Sequence, residues 1–246
     1  MTYCIAIRLD EGLVFVADTR TNAGVDNVNT YRKLHVLTPA PDRLFVLQSA
    51  GNLATTQEVL DRIRRDLENG AETSLATVGH LFEAALYVGR LSQEVARGHA
   101  GAFSNSRDAT ATFILGGQVG DEAPDILLVY PEGNYIRASE ERPFLQIGEA
   151  KYGKFLLEVG VHEDVDMVTA LKVALSSMIS TARANLSVGP PYDVGIYLPG
   201  AHALDHFRVV EGSPALVRLE RFWSERLVEG MNQLPAISPA DFESDV

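Results

Sequence analysis

Residues 2–18, TYCIAIRLDEGLVFVAD, decide the fold. Tyr3, Ile5, Ile7 and Leu9 alternate with Cys4, Ala6 and Arg8, which is the period-2 pattern of a β-strand. Asp10-Glu11-Gly12 reads as a tight turn, and Leu13 to Ala17 is a second apolar run that ends at Asp18. Two such runs around a short polar turn make a β-hairpin. A hairpin returns the chain to where it started, so Thr2 and Asp18 share one edge.

Outward from the hairpin, Asp18 to Thr30 is polar and reads as a loop. Lys33 to Leu37 and Leu44 to Gln48 are strand-like around the turn Pro39-Ala40-Pro41-Asp42, and Ser49-Ala50-Gly51 closes the second. Helical spacing follows. Leu53, Val59, Leu60, Ile63 and Leu67 lie near one face, and the run stops at Asn69-Gly70. A second helix is expected from Leu75 to Ala96. Strands are expected at Ala111 to Gln118, Asp125 to Tyr130, Asn134 to Ala138 and Phe144 to Ile147. Helices follow at Tyr152 to Glu158 and Val165 to Leu186, then strands at Asp193 to Tyr197 and His206 to Val210. Pro214 to Gly230 reads as a last helix before a Pro-containing acidic tail. Strands and helices come in blocks without βαβ alternation, which argues for two largely antiparallel sheets covered by helix pairs, an α+β fold. No Pro-, Gly- or Ser-rich linker interrupts the chain, so residues 1–246 are expected to form a single domain, with 220–246 as a C-terminal helix and tail extension.

The bulk numbers narrow the function. The chain has 246 residues, long enough for a sizeable core, and a formal net charge of −12. An acidic chain repels nucleic acid and anionic membranes, so neither is an expected partner. The single cysteine, Cys4, rules out an internal disulfide and a cysteine-based zinc site. The start lacks a basic n-region and a long apolar stretch, and no segment approaches a membrane span, so the expected location is cytoplasmic. No His-Glu-x-x-His, Walker loop or G-x-G-x-x-G occurs, and His202 and His206 straddle a loop-to-strand transition; no metal and no cofactor is expected.

Thr2 is the residue with the most chemical interest. If Met1 is trimmed, Thr2 carries a hydroxyl and a free α-amine whose ordinary pKa is about 7.7–8.0. Such an amine can take the hydroxyl proton near neutral pH, so the residue is a nucleophile with its own base. A nearby lysine lowers the pKa of both groups, and a carboxylate holds the lysine in place. Lys33 and Asp18 are the candidates. At the strand-to-helix junction, Gly51 permits close approach of a substrate carbonyl, and its N–H is a candidate oxyanion donor.

Met-Thr at the start, ADTRTNAG at 17–24, Lys33, SAGN at 49–52 and IGEAKYG at 147–153 together resemble the proteasome β-subunit superfamily of N-terminal nucleophile hydrolases. The resemblance covers roughly residues 2–200 and implies a four-layer αββα sandwich. It also implies roles: Thr2 as nucleophile, Asp18 and Lys33 as its polar partners, Gly51 as oxyanion donor, and Asn22 and Ser49 beside a peptide bound as an added strand. The family's Gly-Ser-Gly turn is replaced by Gly148-Glu149-Ala150, which puts Glu149 near the Thr2 amine. The family's later Asp is not evident in Arg183-Ala184-Asn185-Leu186-Ser187, where Ser187 is the residue expected to keep a role. The implied activity is peptide or amide hydrolysis in a homo-oligomer, ring or open spiral, with an unfoldase or other partner left open. An amidohydrolase of non-peptide amides and a catalytically silent scaffold are the alternatives.

Overall fold

The computed structural model describes residues 1–22, 28–102, 106–162, 164–236 and 238. The chain divides into two compact units, Met1–Glu211 and Gly212–Val246. The first unit carries strands β1 (Tyr3–Leu9), β2 (Gly12–Asp18), β3 (Arg20–Asn22), β4 (Val28–Thr30), β5 (Leu34–Ala40) and β6 (Arg43–Gly51), then helices α1 (Leu53–Glu68) and α2 (Leu81–His99). Strands β7 (Ala111–Val119), β8 (Asp125–Val129), β9 (Tyr135–Arg137) and β10 (Phe144–Gly148) follow. Helices α3 (Lys154–Gly160) and α4 (Met167–Ala184) and strands β11 (Tyr192–Tyr197) and β12 (Leu204–Val209) complete the unit.

Two five-stranded antiparallel sheets result, ordered β10-β1-β2-β11-β12 and β5-β6-β7-β8-β9. They face each other across a core of Cys4, Ala6, Leu13, Phe15 and Ala17 from one side and Leu34, Leu44, Val46, Ile114 and Ile126 from the other. The opposite face of the second sheet, through Phe45, Leu47, Phe113 and Leu115, packs on Val59, Ile63, Ala84, Val88 and Leu91 of α1 and α2. On the far side, α4 lies over β1 and β2 and against α3. The layers are those of the αββα sandwich, and the hairpin is buried on both faces, which explains why β2 has no exposed residue.

Gln48 is among the polar side chains that tie the two sheets together, as are the pairs Tyr197–Gln118 and Arg8–Asp125. Gln48 is fully buried, and its amide nitrogen donates to the carbonyls of Ile5 and Val16 at 3.1 Å each. Ile5 and Val16 stand opposite one another in the β1–β2 ladder.

The structure departs from the sequence reading in three places. The polar stretch after Asp18 is not all loop: Arg20–Asn22 and Val28–Thr30 pair as a short hairpin, with Gly24 and its neighbours outside the described residues. Leu75 to Gly79 is not helical. Leu75 and Val78 are buried at core spacing, but Thr77 Oγ1 receives the Ser74 N–H and donates to Glu72 O, local bonds that compete with a helix. The helix starts at Leu81, where Glu83 accepts the N–H groups of Gly79 and His80. Finally, β5 continues through Pro39 and Ala40, with a register shift after Leu37.

The second unit holds α5 (Pro214–Asn232), which has proline in its first turn. Phe222, Leu227, Val228 and Met231 on this helix are exposed. Most of the expected acidic tail, residues 239–246, lies outside the described residues.

Candidate active site

Residue 2 is held by the backbone on both of its sides. The Tyr3 N–H donates to Asp18 Oδ1 at 2.8 Å. The Thr2 carbonyl accepts the Glu149 N–H at 2.7 Å. Ahead of it, the Met1 carbonyl accepts from Lys33 Nζ at 3.1 Å. Lys33 is buried, and its two other donors go to Asp18 Oδ1 at 2.7 Å and to the Arg20 carbonyl at 2.6 Å. Burial pushes the Asp18 carboxyl up from its ordinary range, while Lys33 and the N–H groups of Tyr3 and Gly189 pull it back. Burial, then the Lys33 charge, holds the Met1 amine below its ordinary range against the opposing pull of Asp18 and Glu149.

Gly148 makes the fit possible. It ends β10 opposite Tyr3 with φ +85°, and a Cβ there would stand 1.9 Å from the Thr2 carbonyl oxygen. The following residue, Glu149, is buried, and its Oε2 accepts from Asn185 Nδ2 at 3.0 Å. Asn185 ends α4, and its own Oδ1 accepts the Ser187 N–H at 3.0 Å. The loop 185–189 is fastened at two further points. Arg20 Nη1 donates to the Leu186 carbonyl at 3.1 Å, and the Gly189 N–H reaches Asp18 Oδ2 at 3.5 Å. Deeper in, burial pushes the Tyr3 hydroxyl up to about 12, where it bonds Ser177 Oγ at 2.7 Å.

On the second sheet, the Ser49 N–H donates to the Lys33 carbonyl at 3.1 Å, on the β5 side of β6. The Asn52 N–H donates to Thr110 at 3.0 Å, on the β7 side. N–H groups alternate sides along a strand, which carries the Gly51 N–H to the β5 side, past the start of β5 at Leu34. Gly51 has φ +110°, and a Cβ there would meet the Thr110 carbonyl at 2.6 Å. Asn22 pairs with Val28 in the short hairpin, with its side chain outside the described residues.

The structure therefore brings Thr2, Asp18, Lys33, Glu149 and the loop of Ser187 together through named bonds. Gly51 and Ser49 follow Lys33 on the neighbouring strand. Sequence reasoning gave Arg20 no role and ranked Asn185 below Ser187. Asn185 reads as an ordinary helix end, and only the Asn-x-Ser spacing, which suits a side chain accepting the N–H two residues on, marks it. A cleft of about 710 Å³ around Arg8, Asp10 and Asp125 lies by the turn of the β1–β2 hairpin, at the other end of β1 from Thr2. Among the described residues no group of three or more His, Cys, Asp or Glu could hold a metal ion, and no helix is long and apolar enough to cross a membrane.

The fold agrees with direct comparison. The family described as proteasome subunit matches residues 2–196, and the chain belongs to that family. Within it, the chain is similar to Anbu, the ancestral beta-subunit. The structure of Anbu from Yersinia bercovieri is 40% identical, with a TM-score of 0.89 over 96% of this chain and 99% of that one. A helical assembly of the Anbu complex from Pseudomonas aeruginosa is 37% identical, with a TM-score of 0.90 over 97% and 99%. Anbu from Hyphomicrobium sp. strain MC1 is 39% identical, with a TM-score of 0.86 over 96% and 99%. No curated protein matches the chain significantly.

Proposed function

We propose that this chain hydrolyses peptide or amide bonds with Thr2 as nucleophile once Met1 has been removed. The observation that carries the reading is the clamp on residue 2. Lys33, paired with buried Asp18, spends one of its three donors on the carbonyl of Met1, the residue that trimming removes. With that carbonyl gone, the donor turns to the Thr2 hydroxyl. The ammonium then lowers the pKa of the hydroxyl and of the new α-amine.

The steps follow from the groups present. The Thr2 amine takes the Oγ proton, directly or through a water, as Oγ adds to the substrate carbonyl. The oxyanion meets the Gly51 N–H, an electrostatic contribution worth on the order of 10²–10³ in rate. The amine returns the proton to the leaving nitrogen as the C–N bond breaks, leaving an ester on Thr2. Water, deprotonated by the same amine, adds to the ester, and Oγ leaves with the proton. Asp18 pairs with Lys33 and aims it. Glu149 receives the protonated amine, oriented by Asn185. Ser187 supports Asn185, and Asn22 and Ser49 flank the substrate as it lies beside β6.

The kinship with Anbu, one member of which is described as a helical assembly, supports a homo-oligomer, ring or open spiral, as the working form. Turnover of fluorogenic peptides and simple amides by protein of confirmed N-terminal mass tests the chemistry. Thr2→Ala is expected to abolish turnover with the particle mass unchanged. Turnover retained in that variant overturns the assignment. No turnover by a chain that begins at Thr2 favours the silent scaffold.

A further inference from the structure

Between α1 and the end of α2, a hydroxyl, an imidazole and a carboxylate stand in line. Thr55 Oγ1 lies 3.1 Å from His99 Nδ1, and His99 Nε2 lies 2.8 Å from Glu58 Oε2. The row is not a second nucleophile. Thr55 is fully buried, and its hydroxyl donates to the Ala109 carbonyl at 2.7 Å.

That bond fixes the proton count. A carbonyl only accepts, so the single hydroxyl proton of Thr55 is spent on Ala109, and His99 Nδ1 must donate to Thr55 Oγ1. Glu58 Oε1 accepts from Arg62 at 2.7 and 3.1 Å, and these bonds hold the Glu58 carboxyl below its ordinary range. An ionised carboxylate also only accepts, so His99 Nε2 donates as well. The three bonds together require the imidazolium. In the neutral ring, Nε2 keeps its proton on Glu58 and Nδ1 becomes an acceptor. The Thr55 hydroxyl turns to it, and the Ala109 carbonyl loses this donor. The other charged groups on the surrounding described segments are Arg62, which also pairs with Glu94 at 3.5 Å, then Arg97 and Asp108. They are two of each sign, which leaves Glu58, in direct contact, as the dominant partner.

Ala109 backs the oxyanion side of the site. Its neighbours are gripped by Asn52, which follows Gly51: the Asp108 carbonyl accepts from Asn52 Nδ2 at 2.9 Å and the Thr110 carbonyl from the Asn52 N–H at 3.0 Å. Ala111 stands opposite Gly51 in the β6–β7 ladder. Of the carbonyls of residues 108, 109 and 110, only the middle one is held by a bond that depends on a proton elsewhere.

We infer that His99 is a proton-dependent positioning residue for the oxyanion donor. Charged, it leaves the Thr55 hydroxyl on Ala109 and seats Gly51; neutral, it draws that hydroxyl away and loosens the segment behind Gly51. The catalytic consequence rests on the hydrolase reading of Thr2 and Gly51, whereas the latch itself does not.

Two measurements separate them. The first is amide hydrogen exchange, read by mass spectrometry on peptides covering residues 49–56 and 106–113 of the Thr2→Ala protein, which needs no catalysis. Between about pH 6 and about pH 8.5, the interval in which histidine changes charge, protection corrected for intrinsic exchange is expected to fall about fivefold, the scale of one hydrogen bond. Glu58→Gln, at an exposed position, removes the carboxylate that favours the imidazolium and should bring the fall about one pH unit lower. His99→Gln, neutral throughout, should show no fall. Protection that is constant in the parent protein, or that falls equally in His99→Gln, overturns the latch. The second is the kcat–pH profile of the chain that begins at Thr2. An alkaline limb with little change in KM is expected, moved to lower pH by Glu58→Gln and absent in His99→Gln. A limb that persists unmoved in both variants overturns the link to Gly51. If exchange behaves as expected and no amide is cleaved, the hydrolase reading fails while the latch stands.

Discussion

Asn185 joins two parts of the site with one side chain, since its Nδ2 holds Glu149 and its Oδ1 folds the loop through Ser187. Asn185→Ala removes both bonds. It is expected to lower kcat by about tenfold with little change in KM, because in the proposed reaction the groups it orients act on the Thr2 amine and not on substrate binding. The acid limb of the kcat–pH profile should move with it, a change that a purely structural loss would not produce. Asp18 and Lys33 were legible in the sequence because a hairpin leaves no other place for its end, and lysine beside carboxylate has an obvious chemistry. The bond between Asn185 and Glu149 was not legible, because the two residues meet across a helix pair that periodicity cannot register. His35 carries a prediction of the opposite kind. Burial, then Arg64 and Arg32, holds its pKa at about 4, against about 6.5 in an unfolded chain. Between these values the unfolded chain takes up the proton and the folded one does not. Its contribution to stability is therefore present above pH 6.5 and is lost as pH falls towards 4. Urea unfolding at pH 7 and pH 5 should show His35→Gln losing about 1 kcal/mol less than the native chain over that interval, the full shift being discounted for partial exposure.

Among the elements, β10 holds Thr2 from one side, through the N–H that Glu149, the residue after it, donates to the Thr2 carbonyl. Its last residue, Gly148, adopts a backbone conformation that side chains resist, and it leaves no room for a Cβ against the Thr2 carbonyl. Gly148→Ala is expected to cost about 1–3 kcal/mol in thermal or denaturant unfolding and to reduce turnover by more than the stability loss explains. A variant with unchanged turnover would show that the turn at 148–150 does not set Thr2. The long strands were readable because each has one face towards the core between the sheets and the other towards helices, which fixes both length and period. The short hairpin Arg20–Asn22 and Val28–Thr30 was missed because its sequence, Arg-Thr-Asn and Val-Asn-Thr, carries no alternation of apolar and polar residues. The segment Leu75–Gly79 was misread for the converse reason: core residues at helical spacing sit on a turn that side chains close.

For the whole molecule, the unit Gly212–Val246 is the element most open to dissection, since it is compact apart from residues 1–211. Its helix exposes Phe222, Leu227, Val228 and Met231, a surface suited to a neighbouring copy. Removal of residues 212–246 is expected to leave the first unit folded, by circular dichroism, and to lower the particle mass seen by light scattering. An unchanged particle would place the subunit contacts elsewhere. The four-layer arrangement was readable from the order of blocks, because sheets with one apolar face each must meet and their outer faces must be covered. Assembly was legible only through the family resemblance, because periodicity alone does not distinguish an apolar helix face that meets its own fold from one that meets a copy.

Gln48 stands three residues before Gly51, and Ile5 stands three residues after Thr2. The amide that joins Gln48 to Ile5 and Val16 is therefore a rivet set close behind both halves of the reacting pair. Thermal sliding of one sheet over the other would stretch two buried bonds at once. Such sliding is opposed where it would otherwise open and close the gap between Thr2 and Gly51, the nucleophile and oxyanion donor of the proposed reaction. That gap is fixed by the fold before any substrate arrives, so the two sheets fluctuate there as one body.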